Sequence, residues 1–235
     1  MIDLKTEADK IGVNLTREQL ASFDLFYNTL IEWNEKFNLT AITEKDEIYS
    51  KHFLDSLTII PHIPEGTHKI IDIGAGAGFP GLPIKIARPD LNVTLTDSVG
   101  KKVVFMNEVI NALSLKNTLA ISNRAEDLGK SERYREKFEV ATARAVAYLP
   151  VLCEYVLPLV KVGGIFIAQK SLHDEHHTEI SDAKNAIGIL GGEVQEVIKV
   201  NIPFAGDRHL VIIKKVRETP HEFPRENGLP KLKPL

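Results

Sequence analysis

The stretch Lys69-Ile70-Ile71-Asp72-Ile73-Gly74-Ala75-Gly76-Ala77-Gly78-Phe79-Pro80-Gly81 constrains the fold more than any other part of the chain. Its first five residues form an apolar, β-branched run of the kind that makes a buried strand. Four glycines within the next eight positions, Gly74 to Gly81, then make a loop whose backbone can approach a ligand closely. Pro80 fits the first turn of a helix, where its missing N–H would have no partner. Strand, glycine loop and helix in that order belong to an open α/β sheet, whose first loop lies at the carboxyl edge where ligands bind.

The rest of the chain agrees with such a sheet. Apolar runs recur at Asn92–Thr96, Thr118–Ile121, Glu139–Thr142 and Ile165–Ala168. Helical periods separate most of them, such as Val103, Met106, Ile110, Leu113 and Leu152, Tyr155, Val156, Leu159. The last two runs, Gly191–Val200 and His209–Val216, have no helix between them, which predicts an antiparallel pair on one edge. The expected fold class is therefore α/β: a Rossmann-like, seven-stranded, mostly parallel sheet with a C-terminal antiparallel hairpin, the layout of class I S-adenosylmethionine-dependent methyltransferases.

Residues 1–66 read as an N-terminal helical cap. Thr16 with Gln19 is a capping box, and Phe26, Leu30, Trp33 and Phe37 trace one helical face behind it. A second helical stretch runs from Glu47 to Ile60, and Pro61, Pro64 and Gly66 mark a boundary. The predicted division is a cap over 1–66, a methyltransferase domain over 67–216 and a basic, Pro-rich tail over 217–235.

Charge narrows the partners. The net charge of −3 argues against a general nucleic-acid coat protein. Residues 1–66 carry 6 Lys and Arg against 12 Asp and Glu, while residues 67–235 carry 23 against 20, so the net positive charge lies outside the cap. Between Lys214 and Leu235, six basic residues face three glutamates, and Pro220, Pro224, Pro230 and Pro234 predict an extended, semi-flexible basic tail. The charged N-terminus lacks a signal-peptide run, and no segment is apolar enough to span a bilayer, so a cytoplasmic protein without membrane contact is expected. The single cysteine, Cys153, excludes an intrachain disulfide, and its place between Leu152 and Tyr155 on an apolar helical face reads as core. The one cluster with metal-ligand side chains, His173-Asp174-Glu175-His176-His177, reads as a solvated helix face, and no metal is expected.

Two cofactors compete for the glycine loop. Gly76-x-Gly78-x-x-Gly81, with Asp97 lying 21 residues beyond Gly76, formally satisfies the dinucleotide fingerprint of an NAD(P)-dependent oxidoreductase. Asp72-x-Gly74-x-Gly76-x-Gly78 equally suits S-adenosylmethionine, with Asp97 on the ribose diol. A carboxylate at the loop tolerates a sulfonium cation and would repel a pyrophosphate, which favours the methyl donor. Arg124-Ala125-Glu126-Asp127, after the third strand, is placed to border an adenine.

Acceptor chemistry is read largely by absence. Ala143-Arg144-Ala145-Val146-Ala147 stands where exocyclic-amino methylation of bases uses an Asp/Asn-Pro-Pro-aromatic motif. Cytosine C5 methylation needs a thiol nucleophile, and Cys153 reads as core. A ring nitrogen with a free lone pair, such as guanine N7, remains. It loses no proton on methylation, so catalysis reduces to alignment and no general base is required. Arg144 and Lys170 follow the fourth and fifth strands and are the acceptor-side candidates. Lys101, Lys102, Lys170, Arg208, His209 and the basic tail are the candidates for RNA contact. A non-catalytic RNA- or ribosome-binding module that has kept the fold is a further alternative.

Six blocks in register resemble one family. Asp72-Ile-Gly-Ala-Gly-Ala-Gly-Phe-Pro-Gly81 is similar to the first motif of the bacterial small-subunit ribosomal RNA guanine-N7 methyltransferase G, or glucose-inhibited division protein B, family. Trp33-Asn34-x-x-x-Asn38-Leu39-Thr40, His52-Phe53-Leu54-Asp55-Ser56, Asp97-Ser98-x-x-Lys101-Lys102, Arg144-Ala145 and Gly206-x-Arg208-His209-Leu210 follow in family order. The resemblance implies S-adenosylmethionine-dependent N7 methylation of a guanine in the 530 loop of 16S ribosomal RNA. Its implied partner is that RNA or the small ribosomal subunit, and a monomer is expected. It carries cofactor contacts onto Gly74, Phe79, Asp97, Ser98, Ala125, Glu126 and Arg144, with Gly76 and Gly78 in the same loop. Trp33 and Asn38 are expected to pack the cap helices, and His52 and Asp55 to bond each other at the cap junction.

Overall fold

Seven strands form one sheet in the order β3-β2-β1-β4-β5-β7-β6. They are β1 (Lys69–Ile73), β2 (Asn92–Asp97), β3 (Thr118–Ser122), β4 (Phe138–Arg144), β5 (Val160–Lys170), β6 (Gly192–Ile202) and β7 (Gly206–Lys215). The first five run parallel, and β7 pairs antiparallel with both β5 and β6. The α/β class and the closing hairpin are those the sequence pattern predicts. This computed structural model describes residues 2–171 and 178–235. The His173–His177 cluster lies outside the described residues.

The order reverses direction between β1 and β4, so the crevice above their carboxyl ends is the natural ligand site of the sheet. The described residues hold ten α-helices: α1 (Leu4–Lys10), α2 (Arg17–Phe37), α3 (Lys45–Ile48), α4 (Asp55–Leu57), α5 (Gly81–Ala87), α6 (Gly100–Ala112), α7 (Ala125–Lys130), α8 (Leu149–Val156), α9 (Thr178–Ile189) and α10 (Leu229–Leu232). Two hydrophobic clusters cover the sheet's faces. One joins α1, α2, α5 and α6, and the other joins α8, α9 and the faces of β4, β5 and β7. Cys153 is fully buried in the second.

The capping box forms as expected: Gln19 N donates to Thr16 Oγ1 at 3.2 Å, and Thr16 N donates to Gln19 Oε1 at 2.8 Å. Gln19 Nε2 also donates to Ile86 O and Ala87 O, so the same side chain ties α2 to the end of α5. Phe26 stacks on Phe79 with ring centroids 5.3 Å apart, and Trp33 packs on Phe37 and on Phe105 of α6. Asn38 ends α2 in the left-handed region at φ 47°. Trp33 therefore packs helices as expected, whereas Asn38 serves as the C-cap of α2.

Two sequence expectations change here. The helix expected over Glu47–Ile60 is interrupted by a π-helical turn at Tyr49–Leu54, a wide turn frequent at functional sites. The segment 217–235, expected to be extended and semi-flexible, instead folds back onto the body. Arg135 donates to the carbonyls of Thr219, Pro220 and Phe223, and Arg225 forks onto Glu154 of α8 at 2.6 to 3.1 Å. Lys215, counted with the tail's positive charge, is fully buried, with its Nζ bonded to Glu136, Thr219 Oγ1 and the carbonyls of Leu157 and Val160. Composition could not reveal these attachments, because their partners lie far away in the chain.

Candidate active site

A pocket of about 170 Å³ opens at the carboxyl ends of β1, β2 and β3. Ile73 and Gly74, Thr96 to Ser98, Asn123 to Glu126, Val146 and Tyr155 line it. Gly74, Asp97, Ser98, Ala125 and Glu126, all expected at a cofactor, thus meet at one place. Asn123, Val146 and Tyr155 were not foreseen. Asn123 and Val146 stand just past the ends of β3 and β4 and Tyr155 in the last turn of α8, where side chains of no special chemistry give no sequence signal.

Asp97 organises the pocket. Its Oδ2 accepts from Gly76 N at 3.0 Å and lies 3.4 Å from Lys102 Nζ, while its Oδ1 accepts from Val99 N at 2.9 Å. Gly76 sits at φ +61° with no atom within 4 Å of where a Cβ would stand, so its backbone faces open space. Lys102, expected on RNA, is drawn to this carboxylate. Lys101 Nζ donates to Phe37 O and links α6 to the end of α2.

Asp72 departs from its expected place. It does not line the pocket; it is fully buried beneath the loop, where its Oδ2 accepts from Gly81 N at 2.7 Å and its Oδ1 from Thr142 Oγ1 at 3.3 Å. Burial pushes its carboxyl up to about 7, against the Gly81 amide and Arg144, which lower it. A Cβ at Gly81 would stand 2.8 Å from Leu95 Cδ2 and 2.9 Å from Asp72 Oδ2, so this approach requires glycine.

The consequence lies at the N-terminus of α5. Gly81 N is taken by Asp72, Leu82 N donates to Gly78 O, and Ile84 N donates to Pro80 O. Pro80 and Pro83 have no N–H. Dinucleotide sites seat their pyrophosphate on free amides at this helix terminus. In this chain those amides are already spent.

A second cleft, of about 400 Å³, lies past the ends of β4 and β5. Lys51, His52, Asp55, Arg144, Gln169, Lys170 and Arg208 are among its walls. Arg144, expected between cofactor and base, lines this cleft and not the pocket. Its Nη1 donates to Asp55 Oδ2 at 2.9 Å and to Lys51 O at 3.1 Å, and its guanidinium lies over the Phe79 ring at 5.1 Å. Its Nη2 lies 3.3 Å from His52 Nδ1, so His52 and Asp55 meet through Arg144 and not through each other. Phe79 is buried, stacked on His52 at 4.6 Å, and supports the loop from behind. Burial first, then the neighbouring Arg144, pushes His52 down to about 3, so it is a neutral ring at ordinary pH.

Lys170 Nζ sits 2.5 Å from Glu179 Oε1 and donates to Ala147 O at 2.9 Å. Arg208 is half-buried at the cleft wall. His209 is buried on β7 opposite Lys170, where a strand covered on both faces leaves it no surface for an exposed RNA contact. Among the described residues, no group of three or more His, Cys, Asp or Glu could hold a metal ion, and no helix is long and apolar enough to cross a membrane.

A family model described as rRNA small subunit methyltransferase G matches residues 19–211. The chain belongs to that family. A ribosomal RNA small subunit methyltransferase G from Desulforamulus reducens is 49% identical, covering 100% of this chain and 98% of that protein. One from Bacillus subtilis is 45% identical, covering 95% of this chain and 94% of that protein. Among solved structures, a ribosomal protein L11 methylase from Lactobacillus delbrueckii is similar, with a TM-score of 0.54, 13% identity, and coverage of 68% of this chain and 79% of that one. A precorrin-6y C5,15-methyltransferase from Geobacter metallireducens gives a TM-score of 0.53, 13% identity, and coverage of 74% and 90%. These likenesses establish the class I methyltransferase fold. The pocket at β1–β3 and the cleft at β4–β5 flank the loop after β4, which gives Val146 to the pocket and Ala145 to the cleft.

Proposed function

We propose that the chain transfers a methyl group from S-adenosylmethionine to N7 of a guanine in the 530 loop of 16S ribosomal RNA. The observation that carries the donor half is the saturated N-terminus of α5, which leaves no free amide at that helix end for a pyrophosphate. The donor set fits an adenosine with a cationic thioether arm: a buried carboxylate at the end of β2, apolar walls from Ile73, Val146 and Tyr155, and open space in front of Gly76. Asp97 would hold the ribose diol, Ala125 and Glu126 the adenine edge, and Gly74 to Gly78 the amino-acid arm. When bound, S-adenosylmethionine supplies an electrophilic methyl on a sulfonium sulfur.

The acceptor half rests on family membership and on the chemistry of the second cleft. Arg144, held by Asp55 and by the Phe79 ring, presents a fixed cation in the wall of this cleft. A guanidinium there can donate to guanine O6 and hold the base in line. Guanine N7 attacks with its own lone pair, so no residue needs to accept a proton. His52 is consistent with that requirement. It is too weak a base to serve near neutral pH, and its Nε2 is paired with Thr40 Oγ1 at 2.9 Å. Its part is to pack on Phe79 and keep the loop and the cleft in register.

The NAD(P) alternative is tested by calorimetry. S-adenosylhomocysteine should bind the purified chain and NAD should not. Tight NAD binding with no response to S-adenosylhomocysteine would overturn the donor assignment.

A further inference from the structure

The wall of the pocket that carries Glu126 is itself held from outside by the C-terminal segment. Three successive attachments run along it. Pro224 packs on Gly129 of α7 so closely that a Cβ at Gly129 would stand 2.8 Å from Pro224 Cγ. Arg225 then forks onto Glu154 of α8, a carboxylate that is fully buried. Finally Asn227 Nδ2 donates to Asp127 Oδ1, and Gly228 N donates to Glu126 Oε1, both at 3.0 Å. Beyond them, Lys231 and Pro234 close a cleft of about 280 Å³ against Val146 and Tyr155, the same two residues that wall the pocket.

Glu126 is the point of contact between the two regions. It is buried, it lines the pocket, and the hydrogen bond from Gly228 fixes the direction of its carboxylate. Of the segment's positive charges, Arg225 is committed to Glu154, and Lys215 just ahead of it to Glu136. The family model ends at residue 211, short of the whole segment.

We propose that residues 226–235 are a positioning element of the donor pocket, holding Glu126 so that its carboxylate meets the amino edge of the adenine. This inference rests on the methyl-donor reading above. It assigns the end of the chain to cofactor affinity and not to RNA.

The test compares the full chain with one ending at Arg225, which keeps the Arg135 attachments and the Arg225–Glu154 fork. Affinity for S-adenosylhomocysteine by calorimetry should fall about tenfold, the usual effect of losing one hydrogen bond to a charged acceptor. KM for S-adenosylmethionine should rise alike, with kcat at saturation changed less than about twofold, as expected when binding alone is lost. Hydrogen exchange at the amides of α7 should quicken, and the salt dependence of RNA binding should stay the same. In a Glu126→Ala background the same shortening should cost almost nothing further, because the two changes remove one interaction. Equal affinity in both chains, additive losses, or a shallower salt dependence with cofactor affinity intact would each overturn the proposal. If the full chain itself ignores S-adenosylhomocysteine, the methyl-donor reading fails first. Should the shortened chain not fold, Asn227→Ala in the full chain should weaken the same affinity about twofold, within the range of one exposed hydrogen bond. An unchanged value there also overturns the proposal.

Discussion

Asp97→Ala should weaken S-adenosylhomocysteine binding about 100-fold, or about 2.7 kcal/mol, because two hydroxyls lose a charged acceptor at once. The same change releases Gly76 N and Val99 N, the two amides that Asp97 holds, so the β1–α5 loop loses its fixed shape together with its ligand contact. Asp97→Asn separates these effects. The amide side chain can still accept from one backbone N–H but carries no charge, so it should keep the loop and recover only part of the affinity. Calorimetry on both variants, with thermal melting as a control, reads the difference. Near-native affinity in Asp97→Ala would remove the residue from the donor site.

The second large effect is expected at Arg144, and it is one of stability as much as of activity. Asp55 is buried, its Oδ2 accepts from Arg144, and its Oδ1 has no hydrogen-bond partner in the structure. Burial raises its pKa, and Arg144 holds that rise back. Removing one partner of a buried pair typically costs about 3 to 5 kcal/mol. Arg144→Ala should therefore approach that range at pH 7.5.

The pH dependence has a definite sign. A carboxyl whose folded pKa lies above its unfolded value contributes most stability in acid and loses it as pH rises through the folded value. Without Arg144 that value moves further up, so the defect should shrink as pH falls toward 5. It should also be partly relieved by Asp55→Asn. Urea unfolding at several pH values measures both. A defect that is independent of pH, or that worsens in acid, would mean that Asp55 is not the cause.

What the sequence made legible is what depends on neighbours in the chain. Strands announced themselves as short β-branched runs between turn residues, and each lies within a few residues of its expected span, with β5 extended at its start to Val160. The pocket was legible for the same reason. In an open parallel sheet, residues at successive strand ends converge, so the glycine loop, Asp97 and the Ala125–Glu126 pair could be placed together from their positions, while Ser98 came from the family resemblance.

What stayed hidden depends on distant pairs. Arg144 and Asp55 are 89 positions apart, and nothing in either neighbourhood signals the other. Asp72 carries a motif carboxylate, yet the close approach of Gly81 turns it inward. Lys215 and Arg225 read as free positive charge until their buried carboxylate and carbonyl partners are seen. The π-helical turn at Tyr49–Leu54 is invisible because its apolar spacing also fits an ordinary helix.

The most direct measurement of the whole account is a map of N7-methylguanine in 16S ribosomal RNA from cells with and without this gene. Methylation at one guanine of the 530 loop should vanish on deletion, return with the native chain and stay absent with Asp97→Ala. A mark that survives the deletion, or one that Asp97→Ala restores in full, would contradict it.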